Sequence, residues 1–201
     1  MHVISTVPEE LNRVWQFNRR LFAGLLMRAA REALQTLLSD PKYLGATPGI
    51  ISALHGWGRN LNVHPNVHCL VTAGVLHHDG TLVIQKRSTL LPARELMPVF
   101  CGKLRALFKQ TLDAGELQVP SGLTTARLHW LLNRLGRIDW NVRIQERDRH
   151  GVSVAGDLAR YVTGGPISDR RIESVQNSQV IFRYRDHRDG KEKRMRKHAR
   201  Q

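Results

Sequence analysis

Residues 62–74 read NVHPNVHCLVTAG, with Asn-Val-His at 62–64 and again at 66–68. The second copy runs into an apolar, β-branched segment, and residues 67–73 (VHCLVTA) read as a strand. Side chains alternate across a strand, so His64, Asn66 and His68 share one face if the segment is extended throughout. Pro65 lacks an N–H and belongs at a strand start or edge. Neutral imidazoles ligate divalent ions well, and an amide oxygen is a weaker, harder ligand. Taken alone, two such histidines are more often packed or exposed than metal-bound. His77 and His78, in a turn, read as surface residues.

Outward from this stretch the chain alternates strand and helix signals. Residues 2–6 (HVIST) are β-branched and stop at Pro8, so they predict a short strand. Apolar residues recur at helical spacing over 11–38, which makes one long helix or two, closed by Asp40-Pro41. Residues 50–54 (IISAL) read as a strand. The turn at His78-Asp79-Gly80 makes 67–85 a β-hairpin. Helices are expected over 92–113, 123–135 and 154–162, the last ended by Gly164-Gly165-Pro166. A strand is expected over 140–145, and a second hairpin over 172–184 turning at Asn177-Ser178. Strands clustered between helices point to an α+β fold with a mainly antiparallel sheet. Residues 188–201 are rich in Lys and Arg without apolar periodicity and read as a flexible basic tail after a domain over 1–187.

Composition narrows the partners. Thirty-one Lys and Arg oppose 17 Asp and Glu in 201 residues, a formal charge of +14. Such a chain repels itself until a polyanion neutralises it, and nucleic acid is the commonest. No apolar run reaches the roughly 18–20 residues of a membrane span, and no basic amphipathic helix carries aromatic anchors, so no membrane role is expected. Cys69 and Cys101 form no CxxC pair or disulfide framework, which suits a reducing cytoplasm.

A second chemical candidate is Tyr161, in DLARYVTGGPISDRR. A phenol ionises near pH 10, so a tyrosine nucleophile needs positive charge or a metal beside it. Arg160, Arg170 and Arg171 lie close in sequence and are of the type that holds phosphate. An isolated tyrosine of this kind is more often a helix residue with a packed ring.

The segments HPNVHCLVTAG and WNVRIQERDRHGVSVAGDLARYVTGGPISDRRI together resemble the rolling-circle transposases of IS-ninety-one-like insertion sequences. The opening HVISTVPEELN and the block LGATPGIISALHGWGRNL are similar to the same family, so the resemblance runs to about Arg185. It implies an HUH-endonuclease-like antiparallel sheet, an RRM-like palm with flanking helices. It also implies a DNA nickase and strand transferase in DNA transposition. A histidine pair on a sheet strand would bind Mg²⁺ or Mn²⁺, and a helix-borne tyrosine would attack single-stranded DNA to give a 5′-phosphotyrosine and a free 3′-OH. By this resemblance Tyr161 is the nucleophile, His68 is the firmest metal ligand, and His64 and Asn66 compete for the second position. Arg160, Arg170 and Arg171 contact phosphate. The partner is DNA at single-stranded element termini, and the location is the cytoplasm, at the nucleoid.

Three departures from that pattern bear on activity. Asn66 stands where the first histidine of the pair is expected. Asp157 stands one helical turn before Tyr161, where many members carry another tyrosine. Both ends look short, without the usual cysteine-rich zinc-binding start, as in a truncated gene product. The alternative expectation is therefore a catalytically inactive DNA-binding remnant of such a transposase. A basic RNA-binding domain ranks below both, since no RNP-like aromatic pattern is present.

Overall fold

The structure, a computed structural model, describes residues 1–58, 60–76, 81–84, 90–145, 167–186 and 189–198. The expected helix over 154–162, with Asp157, Arg160 and Tyr161, lies outside the described residues, as do the turn residues 77–80.

The first body follows the order strand, helix, strand, strand, helix, strand. Its strands are β1 (His2–Thr6), β2 (Ile50–Trp57), β3 (Val63–Val71) and β6 (Val142–Gln145). They form one sheet in the order β2-β3-β1-β6, with every neighbouring pair antiparallel. This is the ferredoxin-like arrangement, and it matches the antiparallel α+β sheet with flanking helices that the sequence predicts.

Helices α1 (Asn12–Phe17), α2 (Arg19–Leu38), α3 (Ala93–Asp113) and α4 (Thr125–Leu135) complete this body. The sequence leaves one helix or two open over 11–38, and Asn18 makes it two. Its backbone leaves the helical region at φ −129°, ψ 35°. Its amide donates to Val14 O at 3.0 Å and Gln118 O at 2.8 Å, while its Oδ1 accepts from Gln118 N at 2.7 Å. The break is thus held by the chain that follows α3. Thr124 caps α4 by accepting from Arg127 N at 3.1 Å.

The core lies between one sheet face and the helices. Val3, Val67 and Cys69 from the sheet are buried in one cluster with Phe22, Leu26, Ala29 and Ala33 of α2 and Phe100, Leu104 and Phe108 of α3. The Phe22 ring meets Phe108 edge-on with centroids 4.7 Å apart. Each fully buried Leu or Phe contributes about 1.5–3 kcal/mol relative to leaving it exposed, and this one-sided burial gives the sheet its orientation.

Two expectations are corrected. Residues 67–85 do not form a hairpin. β3 pairs with β1 and β2, and the short ladder lies between β4 (Gly74–Leu76) and β5 (Leu82–Ile84). The apolar alternation of β3 is satisfied by two distant strands, which a local turn signal cannot reveal. Nor do the last residues all form a flexible tail. β9 (Glu192–His198) pairs along its full length with β8 (Gln179–Arg185), which also pairs with β7 (Ile172–Gln176). The ladder of backbone hydrogen bonds needs no apolar alternation, and lysines on an edge strand are a common guard against further pairing. The β7–β8 hairpin turns at Asn177 and Ser178, as the sequence predicts.

Candidate functional site

The face of the first sheet turned away from the helices carries the chemistry. Residues directly opposite across an antiparallel ladder share a face, so the register lays out a grid. One row holds Ile51, Leu70, His2 and Gln145, the next holds Ala53, His68, Ile4 and Arg143, and the third holds His55, Asn66 and Thr6. His68 is diagonal to both His2 and His55. Its ring centroid is 5.1 Å from that of His2 and 4.2 Å from that of His55.

Hydrogen bonds orient this cluster. His2 Nδ1 lies 2.8 Å from Gln145 Oε1, and His2 Nε2 lies 3.0 Å from His68 Nδ1. A carbonyl oxygen can only accept, so His2 donates through Nδ1 and, as a neutral imidazole, accepts at Nε2. His68 then carries its proton on Nδ1, which puts its lone pair on Nε2. Burial pushes the His55 pKa down and favours its neutral, ligating form.

Asn66 is 6% exposed, its amide donates to His64 O at 2.9 Å, and its Oδ1 is buried without a hydrogen-bond partner among the described residues. An orphaned buried acceptor costs about 1–3 kcal/mol, and a cation satisfies it. Asn66 therefore fits a metal ligand, directly opposite His55 and next to His68 on the strand. Among the described residues no group of three or more His, Cys, Asp or Glu is disposed to hold a metal ion, so a donor set here draws on the Asn66 amide oxygen together with His68 and His55.

His64 stands apart. Between His55 and Trp57 the register shifts, and three steps on β3 match two on β2. This bulge at His64-Pro65 accommodates the missing N–H of Pro65 and interrupts strict alternation. Among the described residues no ring pair or side-chain hydrogen bond joins His64 to His2, His55 or His68. Arg170 and Arg171 sit on the turn Asp169–Arg171 that leads into β7, and Arg171 Nε donates to Arg183 O at 2.7 Å.

Sequence reasoning missed His2, His55 and Arg143. His55 has a local signal, because it alternates with Ile51 and Ala53 along β2. His2 and Arg143 join His68 only through the register of β1 and β6.

The family model described as "Putative transposase" (Y2_Tnp) matches residues 49–201. The chain belongs to this transposase family. It is similar to "Putative transposase y4qJ" of Sinorhizobium fredii, 34% identical over 94% of this chain and 49% of that protein. The transposase for insertion sequence element IS801 of Pseudomonas savastanoi pv. phaseolicola is 30% identical over 93% of this chain and 45% of its own length. The chain thus spans about half the length of these transposases. A solved structure of the conjugative relaxase TrwC in complex with mutant OriT DNA aligns at 12% identity over 82% of this chain and 74% of that one, with a TM-score of 0.43. Among the described residues of this transposase-family chain, no helix is long and apolar enough to cross a membrane.

Proposed function

We propose that the chain is the DNA-processing domain of a rolling-circle transposase, which nicks and joins single-stranded DNA through a 5′-phosphotyrosine. The observation that carries this reading is the meeting of His68, His55 and the unsatisfied Asn66 oxygen on the sheet face turned away from the helices, in a transposase-family chain. These three would hold Mg²⁺ or Mn²⁺, which supplies polarisation of a phosphate oxygen when bound. His2 and Gln145 fix the tautomer of His68. Arg143 brings a guanidinium to the same face for a phosphate, and Arg160 and Arg170 are further candidates.

Tyr161 is the proposed nucleophile. The strand β6 ends at Gln145, whose side chain is bonded to His2; Tyr161 itself lies outside the described residues and is assigned from the resemblance. Attack by the phenolic oxygen forms the Tyr–O–P bond, and the P–O3′ bond breaks to leave a 3′-OH. Retaining the phosphoester allows rejoining without a high-energy cofactor. The chemistry takes place where bacterial DNA lies, in the cytoplasm at the nucleoid.

A second reading is favoured by Asn66 and Asp157, which replace an imidazole and a phenol expected from the resemblance. It is a catalytically silent DNA-binding remnant of such a transposase.

Purified protein mixed with single-stranded terminus DNA and Mn²⁺ separates the two. A denaturation-resistant adduct that disappears in Tyr161→Phe supports catalysis. DNA binding without any adduct supports the remnant, and an adduct unchanged in Tyr161→Phe removes Tyr161 from the mechanism.

A further inference from the structure

The sheet β7-β8-β9 has two unlike faces. Register places Arg183 opposite Arg194, Ile181 opposite Arg196, Gln179 opposite His198 and Arg185 opposite Glu192. On this side Arg183, Arg185, Arg194, Arg196 and His198 are all exposed. On the other side Phe182 is fully buried and Tyr184 half-buried. There Lys193 is bonded to Asp186 at 2.8 Å, and Lys197 donates to Asn62 Oδ1 at 2.7 Å. The lysines of β9 are thus committed to the inner face, and its arginines project outward.

Three of the outer guanidiniums, those of Arg183, Arg185 and Arg194, are held in place. Glu173 reaches Arg194 at 3.0 Å and Arg183 at 3.3 Å, Glu192 reaches Arg183 at 3.3 Å, and Arg185 Nε donates to Gly190 O at 2.9 Å. Four guanidiniums against two carboxylates leave the face cationic. Alternate residues on a strand are about 6.8 Å apart and neighbouring strands about 4.8 Å, a grid on the scale of phosphate spacing along a nucleic-acid strand. Arginine is suited to bidentate phosphate contact.

We propose that this outer face docks the backbone of duplex DNA, in addition to the single-strand site of the first sheet. The inference rests on the reading of the chain as a DNA-processing domain. Single strands are gripped by cations interleaved with aromatic rings on which bases stack. Among the described residues this face presents no Phe, Tyr or Trp, because Phe182 and Tyr184 belong to the opposite side. A duplex hides its bases and presents a regular array of phosphates, which a regular array of guanidiniums fits. β-Sheet readers of DNA use strands in this way.

The test compares a duplex and a single strand of equal length by fluorescence anisotropy over a range of NaCl concentrations, using the full chain. In R194Q/R196Q the slope of log affinity for duplex against log salt should fall by about 1.8, at about 0.9 per lost phosphate contact. Duplex affinity should fall at least roughly tenfold at moderate salt, with a smaller change on the single strand. Glu173→Gln removes a neutralising carboxylate and should tighten duplex binding, so it tests the face even if the double variant folds poorly. An unchanged duplex slope in folded R194Q/R196Q overturns the proposal, as does equal loss on duplex and single strand, or weaker duplex binding in Glu173→Gln. Failure of the parent reading shows separately, as the absence of a single-strand adduct with the unaltered protein.

Discussion

His2 Nε2 and His68 Nδ1 lie 3.0 Å apart, although 66 residues separate them in the chain. The second residue of the protein thereby sets which nitrogen of His68 bears a proton, and Gln145, at the far edge of the sheet, sets His2 in turn.

Removing this orientation should weaken metal binding without unfolding the protein. Gln145→Leu is expected to reduce Mn²⁺ affinity roughly 10–100-fold, the range seen when a supporting partner of a ligand is lost. Nitrogen-15 NMR of the metal-free protein should show His68 protonated at Nδ1 in the unaltered chain and a mixture in the variant. A His68 protonated at Nε2 in both would end this account.

Asn66 tests whether its buried oxygen is kept for a ligand. Asn66→His should raise divalent affinity about tenfold or more, since imidazole is the stronger donor for transition metals. Asn66→Leu removes an orphaned acceptor along with the bond to His64 O, so stability should move by no more than about 1 kcal/mol while Mn²⁺ affinity is lost. Equal Mn²⁺ affinity in the leucine variant would exclude Asn66 as a ligand.

Acid stability should depend on Glu95. The Tyr43 hydroxyl first, and Lys42 second, hold its carboxyl below the ordinary glutamate range. The unfolded chain therefore takes up this proton first on acidification. The stabilisation is present above the unfolded glutamate pKa of about 4.3 and is lost as pH falls through the lower folded value. Glu95→Gln should flatten that part of the acid limb in urea titrations run from pH 7 downward. An identical pH profile would rule the pairing out as a contributor.

The β7–β8 turn offers a stabilising change. Asn177 and Ser178 sit at φ 49° and 59°, the geometry of a two-residue hairpin turn that prefers Asn-Gly. Ser178→Gly relieves a left-handed strain of about 1–2 kcal/mol against an unfolded-state entropy cost of about 0.4–1 kcal/mol. A net gain of about 0.5–1 kcal/mol is expected from equilibrium denaturation. A loss of stability would contradict the turn geometry.

Much of the fold was legible because its signals are local. Periodicity announces α2, α3 and α4, Thr124 marks a helix start, and β-branched runs announce β1, β2 and β3. The family resemblance, too, was carried by short contiguous motifs. The site was legible only in part. His64, Asn66 and His68 can be singled out on one strand, while the Pro65 bulge that interrupts their alternation leaves no such trace. β9 reads as a tail in the sequence, because pairing through backbone groups leaves little trace in side-chain pattern.

By itself the sequence determined most of the elements, the strongly positive charge and the family resemblance. Only the tertiary structure decided that His2, His55, Gln145 and Arg143 join His68, and that the arginines of β8 and β9 share an outer face. The reason is physical. Helix period and strand alternation are properties of neighbouring residues, whereas register is chosen by the packing of distant strands, and it is register that places side chains within hydrogen-bonding reach.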